Sequence, residues 1–504
     1  MSEKKVKVTI DGIEAEVPAG INTIEAAKLL GIEIPHFCYH PALSVSGNCR
    51  MCLIDLELGG RKLPKLQIAC GTNVQDGMVV ETNSDVVRNA RKGVLEFILI
   101  NHPVDCPICD QAGECMLQDN YYDYSLGESR FTEEKVQKAK RFDLGPQLVL
   151  DADRCILCSR CVRFLKEYTG TQEMGIFNRG DHSEVGLFDG HKVDNPYSMN
   201  LADLCPVGAI TTKDFRFKSR VWFLNKTESV CPGCERGCNI TIEEKDNYII
   251  RIKPRYNEDV NGYFMCDDGR LLHHKYYDKS RLIDFMKRED GALKVQKLNE
   301  LTWEIRELLS EVKKAGDKIV AIGSAQGANE DLFVFKKLFG DELGAELYYK
   351  KDVDATGYLV EEDDKLIGKD KNPNSKGAES FGLKELSDAD NVLKNASLVI
   401  IWGDGIEKYV SSLDILKGKK VIYVGSFVND INNLADFVLP ANIFAERAGS
   451  FTNSQGKVQQ FKKAVDGPGN AMPEWEIFGG ILHGFDSTVN YTTVEQIFNE
   501  INAK

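Results

Sequence analysis

The chain has 504 residues, with 63 basic and 77 acidic side chains and a net charge of −14. That length suits about three or four domains, each with its own core, and an acidic balance without a basic tract makes the chain a poor binder of nucleic acid or anionic lipid. No apolar run approaches the eighteen or so residues needed to span a bilayer. One count is out of line: 15 cysteines, all between Cys38 and Cys266. The start, Met1-Ser2-Glu3-Lys4-Lys5-Val6-Lys7, is charged and lacks the apolar stretch of a secretory signal. The chain therefore reads as cytoplasmic, where reduced thiols in regular patterns indicate metal more often than disulfides.

In chain order, Val6, Val8 and Ile10 alternate with polar residues, Asp11-Gly12 supplies a hairpin turn, and Ile13, Ala15 and Val17 alternate again. Thr23 is expected to cap a helix over 24–30 that stops at Gly31. Cys38, Cys49, Cys52 and Cys70 follow, spaced C-x10-C-x2-C-x17-C. A hairpin, a crossing helix and a Cys-bearing loop suit a small ferredoxin-type sheet holding a [2Fe–2S] cluster. Its spacing differs from the plant C-x4-C-x2-C pattern. His36 and His40 flank Cys38, whose group already has four cysteines, and both read as structural.

Ala90, Val94, Leu95, Phe97 and Ile98 form the apolar face of a second helix. Pro103 ends it and leaves His102 at its exit. His102, Cys106, Cys109 and Cys115 then read H-x3-C-x2-C-x5-C. Three cysteines do not close a four-coordinate site, so a fourth ligand is required. His102 is the nearest soft candidate and Asp105 its rival. A neutral imidazole in place of a thiolate should raise the cluster potential.

Cys155, Cys158 and Cys161, with Cys205-Pro206 downstream, match the bacterial ferredoxin arrangement for one [4Fe–4S] cluster. A second cluster would need a cysteine four positions after Cys161, where Leu165 stands. The last group, Cys231, Cys234, Cys238 and Cys266, is spaced C-x2-C-x3-C-x27-C, with Pro232-Gly233 and Gly237 giving the turns a cluster loop needs. Every cysteine is thereby used, and one histidine completes the set. Zinc is the chemical competitor, but it usually takes paired C-x2-C or C/H motifs, whereas tri-cysteine runs with a remote Cys-Pro favour clusters.

The cysteine-free half reads as α/β. Short apolar runs end before Gly323, Gly403, Gly425 and Pro440, as buried parallel strands do. The loop Gly323-Ser324-Ala325-Gln326-Gly327-Ala328-Asn329 lies where such folds place ligands, but it matches neither G-x-G-x-x-G nor a P-loop. Residues 361–380 read as a polar loop. No nucleophile–base set appears. Four clusters without visible substrate chemistry amount to electron conduction, tuned by ligand type, hydrogen bonds to sulfur and burial.

This order of motifs resembles the G-type, or 75-kDa-type, large iron–sulfur subunit of respiratory NADH:quinone oxidoreductase (complex I). H-x3-C-x2-C-x5-C at His102–Cys115 carries the resemblance most specifically. The Cys231 group resembles the cluster-binding start of molybdopterin oxidoreductases. Ala435-Asp436-Phe437-Val438-Leu439-Pro440-Ala441 and Gly449-Ser450-Phe451-Thr452-Asn453-Ser454-Gln455-Gly456-Lys457-Val458-Gln459 resemble the segment A-D-x-V-L-P…G-x-[FY]-x-N-x-x-G-[RK]-x-Q of that fold.

The resemblance implies a multidomain α+β and α/β chain. Residues 1–84 would form a β-grasp [2Fe–2S] ferredoxin-like domain. Residues 85–125 would form a segment holding a [4Fe–4S] cluster on one histidine and three cysteines, and 140–222 a [4Fe–4S] ferredoxin-like domain. Residues 226–280 would form a [4Fe–4S] domain of molybdopterin-oxidoreductase type, and 281–504 a shortened, degenerate molybdopterin-oxidoreductase-like α/β domain. One [2Fe–2S] and three [4Fe–4S] clusters are implied. Electrons would come from a flavin- and NADH-binding iron–sulfur subunit to the Cys38 set. They would pass through the Cys155 set to the His102 set and leave to a downstream iron–sulfur subunit toward quinone. The Cys231 set would lie off this route with a structural job. No cysteine follows Cys266, so no functional molybdopterin is expected. The chain would sit in a peripheral arm on the cytoplasmic side of the cell membrane, touching the membrane only through partner subunits. The alternative is the electron-transfer subunit of a soluble NAD-linked hydrogenase or formate dehydrogenase, many of which carry the second ferredoxin cluster that Leu165 excludes.

Overall fold

In the computed structural model, which describes residues 4–124, 127–351 and 361–503, the N-terminal alternation becomes a hairpin. Lys5–Ile10 pairs antiparallel with Ile13–Pro18. Asp11 and Gly12 take φ of 48° and 80°, as a two-residue turn matched to strand twist requires. Val6, Val8, Ile10 and Val17 are buried, and each such side chain contributes about 1.5–3 kcal/mol. The sheet order is Ile13–Pro18, Lys5–Ile10, Met78–Glu81, Leu53–Leu58, Arg61–Lys62, with Gln67–Ile68 also on Leu53–Leu58. Lys5–Ile10 and Met78–Glu81 run parallel, and the helix Thr23–Leu29 packs into the same core.

The helix cap lies one residue before the expected Thr23. Asn22 Oδ1 accepts from the Glu25 amide at 3.0 Å, which frees Thr23 Oγ1 to donate to Thr72 O at 2.7 Å. The long gap before Cys70 is taken up by a hairpin turning at Gly59 and Gly60, with φ of 57° and 73°.

The second helix, Asp85–Leu99, is capped by Ser84. Its buried stripe is Val87, Arg91 and Leu95, spaced by one turn each. Phe97, expected on the apolar face, is 78% exposed because it stands two residues round from that stripe. Arg91 ties the helix to its surroundings, donating to Tyr124 OH and to Leu53 O, both at 2.8 Å. The charged start Met1–Glu3 and position 125, the expected end of the second segment, lie outside the described residues.

Next come Leu148–Leu150 paired with Ile210–Thr212 and Phe142–Asp143, and the hairpin of Met174–Phe177 with Glu184–Leu187. The helix Arg160–Phe164 continues as a π-turn over Leu165–Thr169. Leu165 is fully buried there, as packing rather than ligand.

The chain divides into two compact units, Met1–Phe223 and Leu224–Lys504. The second opens with the antiparallel strands Asn225–Val230, Asn239–Lys245 and Tyr248–Pro254. Its main sheet runs Ala292–Val295, Met286–Glu289, Phe437–Pro440, Lys420–Gly425, Leu398–Trp402, Ile319–Ser324, Glu346–Lys350, Lys384–Glu385. The four strands read from apolar runs are all there and pair in parallel. The reading missed Glu346–Lys350 and the edge hairpin because their sequences are charged. Residues 361–380 are not only a polar loop: Ser375–Ser380 is helical, and Leu366 and Ile367 are buried. Among the described residues no helix is long and apolar enough to cross a membrane.

Candidate metal centres

Cys38 lies in the loop after the first helix, Cys49 and Cys52 before the strand Leu53–Leu58, and Cys70 in the tight turn Ala69–Gly71. The four sulfurs are brought together. Cys38 hydrogen-bonds to Cys49 and Cys70, and Cys70 to Cys52. Asn48 and Cys49 amides approach the Cys38 sulfur, and the Phe37 amide donates to Cys49 Sγ at 3.5 Å. Sharing hydrogens with Cys49 and Cys70 pulls the Cys38 thiol down to about 2 while Cys49 and Cys70 are driven up. A set of thiols this tight holds negative charge only if a cation joins it. Arg50, between Cys49 and Cys52, takes φ of 59°, a left-handed turn that folds the C-x2-C pair around one point. His36 and His40 take structural parts, their nitrogens meeting Ile34 O at 2.8 Å and the Ala42 amide at 3.2 Å.

Cys155, Cys158, Cys161 and Cys205 line one enclosed cavity, walled by Leu150, Val185 and Ile210. Leu157 and Ser159 have φ of 54° and 62°, the winding that turns three cysteines inward. The Leu157 amide donates to Cys155 Sγ at 3.4 Å, and the Val207, Ala209 and Ile210 amides approach the Cys205 sulfur. Burial pushes Cys155 up to about 11, Cys158 to about 12, and Cys161 and Cys205 also upward. Such thiols ionise only against a cation in the cavity, which fits an iron–sulfur cluster.

In the second group, Cys106, Cys109 and Cys115 lie close enough to act on one another electrostatically. Cys109 and Cys115 are buried. The His102 ring is half-buried beside Asp105 and the Arg154 backbone, and desolvation lowers its pKa to about 4, keeping it neutral. Its Nδ1 is buried with no hydrogen-bond partner, which suits a ligating nitrogen. Asp105 is otherwise engaged: Arg154 donates to both its oxygens, at 2.9 and 2.6 Å. That pairing holds the Asp105 carboxyl below its ordinary range and supports His102 over its rival.

The loops of these three groups are tied to one another. Arg160, between Cys158 and Cys161, donates to Tyr39 O and, at 3.2 Å, to Leu204 O. Arg163 reaches Cys38 O, and Asn48 donates to Leu157 O at 3.0 Å. On the other side, the Met116 amide donates to Pro206 O at 3.1 Å. Gly208 faces Cys109 so closely that a Cβ there would stand 2.1 Å from its sulfur. The Cys155 group thus contacts both the Cys38 group and the His102 group.

In the second unit, Cys231, Cys234, Cys238 and Cys266 line another enclosed cavity. Burial raises all four thiols, Cys231 to about 12. Cys266 caps the helix Asp267–Leu271, its Sγ accepting from the Gly269 amide at 3.4 Å. Gly237 takes φ of 65°. Its carbonyl accepts from Gln459 Nε2 at 2.9 Å, and Asn453 Nδ2 donates to Arg236 O at 3.3 Å. Asn453 and Gln459, from the segment near the C-terminus, therefore hold the cysteine loop.

At the carboxyl ends of the parallel strands lies a further cavity, lined by Ser324, Gln326, Trp402, Arg447 and Glu474 among others. No cysteine is present there. Arg447 is buried against Asp331 at 2.7 Å and against Glu474. Burial raises the Glu474 carboxyl, and Arg447, shared with Asp331, offsets this only in part. Trp402 fills the space over Gly327, where a Cβ would stand 2.2 Å from the ring. These groups are engaged with each other.

Five family models match the chain. They are described as a 2Fe-2S iron-sulfur cluster binding domain (residues 3–85), an NADH-ubiquinone oxidoreductase-G iron-sulfur binding region (91–130) and the ferredoxin-like domain of NADH-quinone oxidoreductase subunit 3 (145–211). The other two are a molybdopterin oxidoreductase Fe4S4 domain (224–278) and molybdopterin oxidoreductase (416–483). The chain is 39% identical over 347 residues to the NADH-quinone oxidoreductase G subunit of Rickettsia conorii, covering 68% of this chain and 50% of that protein. It is 27% identical over 613 residues to the mitochondrial NADH-ubiquinone oxidoreductase 78 kDa subunit of Candida albicans, covering 98% and 84%. A solved NAD+-reducing [NiFe]-hydrogenase in the H2-reduced state is similar at a TM-score of 0.38, with 30% identity, over 43% of this chain and 91% of that one. The matched region spans about half the length of the first curated relatives.

Proposed function

The chain belongs to the family of G-type, 75-kDa-type iron–sulfur subunits of NADH:quinone oxidoreductase, and from that premise we propose that it is an electron relay within such a complex. Its donor is a flavin- and NADH-binding iron–sulfur subunit, and its acceptor a further iron–sulfur subunit on the way to quinone. One [2Fe–2S] cluster on Cys38, Cys49, Cys52 and Cys70 is proposed, with three [4Fe–4S] clusters on the His102, Cys155 and Cys231 sets. These groups, when bound, supply one-electron chemistry without a substrate site. The chain's own residues present sulfur and imidazole, donate amides to sulfur, exclude water and keep neighbouring ligand sets rigidly adjacent.

The observation that carries this reading is the bonding of the Cys155 loop on both sides. Arg160, Arg163 and Asn48 join it to the Cys38 loop. The Met116–Pro206 bond and the Gly208–Cys109 approach join it to the His102 segment. This supports the order Cys38 set, Cys155 set, His102 set. The chain works in the peripheral arm, on the cytoplasmic side, with membrane contact through its partners. Molybdopterin has no part in this function, in keeping with the engaged Arg447, Glu474 and Trp402.

Metal analysis with EPR of the reduced, anaerobically purified chain tests the proposal. About 14 iron atoms per chain are expected. Zinc in their place, or fewer than about ten irons after reconstitution, refutes the ligand sets. Copurification with a hydrogenase or formate dehydrogenase subunit instead of proton-pumping membrane subunits refutes the assignment to complex I.

A further inference from the structure

The loop 361–374 is carried out from the main sheet and folds over the Cys231 cavity. Asp363 Oδ1 nucleates it, accepting the Lys365, Leu366 and Ile367 amides at 3.0, 3.0 and 2.9 Å. Glu235, in the middle of the cysteine motif, fastens it. The Glu235 Oε1 atom accepts from the Lys369 and Asp370 amides at 3.1 and 3.3 Å, and the Glu235 amide donates to Asp370 O at 2.8 Å. Arg236 donates to Lys365 O. Gly368 makes room for this contact, since a Cβ there would stand 2.7 Å from Glu235 Cγ.

The loop thereby brings three things to the cavity. Ile367 supplies an apolar wall, the Gly368 amide approaches the Cys234 sulfur, and Lys371 contributes a cation. Lys371 lines the same cavity as the four cysteines and acts electrostatically on Cys234. Its position is fixed at both ends: Nζ donates to Gly368 O at 2.7 Å, and the Lys371 carbonyl accepts from Gln326 Nε2 at 3.2 Å. The backbone that carries it is packed, with Asn372 and Asn374 buried.

We propose that Lys371 is a tuning residue for this site: the 361–374 loop is an electrostatic cap whose ammonium favours the reduced state of the group held by Cys231, Cys234, Cys238 and Cys266. This rests on the reading of that quartet as a [4Fe–4S] site. Four thiolates leave such a site net negative, and reduction by one electron makes it more so. A fixed, half-buried cation in the cavity wall favours the more negative state and raises the potential. A half-buried charge delivered to the cavity wall by a dedicated loop, beside the Asp268 carboxylate that lines the same cavity, suits a site that exchanges electrons.

Redox titration of the anaerobically purified full chain, followed by EPR, tests this. The signal lost in Cys238→Ala identifies the site. At the wild-type midpoint, Lys371→Met should lower the ratio of reduced to oxidised site about tenfold, which is a fall of about 59 mV for one electron. Lys371→Arg keeps the charge and should stay within about twofold. Lys369→Met, an exposed lysine of the same loop that does not line the cavity, should also stay within about twofold. A Lys371→Met midpoint within twofold of wild type overturns the proposal, as does an equal shift in Lys371→Arg. If Lys371→Met loses the signal, Lys371→Gln carries the same test. Loss in both means that Lys371 builds the site rather than tunes it, and the proposal falls. If the wild-type chain has no signal sensitive to Cys238→Ala, it is the quartet's reading as a cluster site that fails.

Discussion

Gly208→Ala is a small perturbation with a large expected effect. Gly208 does not need a left-handed φ, so alanine is not strained by its own backbone. The added Cβ would stand 2.1 Å from Cys109 Sγ and 3.1 Å from Gln111 Cβ. Ordinary contacts between non-bonded heavy atoms sit at about 3.5–4.0 Å, so the sulfur has to retreat by about 1.5 Å. Metal–ligand distances tolerate about 0.2 Å. Cys109 is buried and has little room to give. Overpacking of this kind costs about 1–3 kcal/mol, less than the stability of a typical domain at about 5–15 kcal/mol. The variant should therefore fold and lose the group held by the His102 set: about four irons fewer per chain, one EPR signal missing, the others unshifted. Gly93→Ala is the control, since nothing lies within 4 Å of a Cβ there. It sits within the helix Asp85–Leu99, so it should keep all its iron and gain about 0.5–1 kcal/mol of stability. Full iron content with unchanged spectra in Gly208→Ala would refute the argument that Gly208 clears space for a ligating Cys109.

His102→Ala should lose one EPR signal and quinone reduction while flavin reduction by NADH in the partner survives. His102→Cys should keep the iron and lower that site's potential, because thiolate replaces neutral imidazole. Asp105→Asn should retain the signal; its loss there, with His102→Ala unchanged, would hand the position to Asp105. Glu330, fully enclosed and bonded by the Ser450 amide and hydroxyl, both at 2.8 Å, is pushed by burial up to about 7. From about pH 4.5 to 7 the folded chain thus holds a proton that the unfolded chain has released. That contribution to stability is complete at lower pH and lost as pH rises through about 7, at up to about 1.4 kcal/mol per pH unit. Anaerobic thermal unfolding between about pH 5 and 8 should show the decline, flattened in Glu330→Gln. An unchanged slope in the variant would refute it.

Much of the site was legible in the sequence because cluster ligands come as local repeats: C-x2-C spacing is set by the tight turn that wraps a loop around one point. The same holds for the N-terminal hairpin, where period-two alternation and Asp11-Gly12 dictate both strands. Parallel core strands were legible because burial on both faces makes them continuously apolar. What failed lay where burial is decided by distant neighbours. The cap passed to Asn22 because Thr23 had a tertiary partner in Thr72 O, and Phe97 faces outward because the helix presents Arg91 to the sheet. Glu346–Lys350 is a strand by pairing with Ile319–Ser324, not by hydropathy.

The sequence by itself determined which cysteines, with His102, fall into close-spaced sets suited to ligation, since ligation needs particular atoms at short spacings. The tertiary structure alone decided what surrounds them. It set Gly208 against Cys109 and spent Asp105 on Arg154. It brought Asn453 and Gln459 back onto the Cys231 loop and swung Lys371 over the cavity. Those contacts join residues far apart in the chain, and no local pattern encodes them. Their physical basis is close packing and the need to satisfy buried polar groups, which act only once the chain has folded.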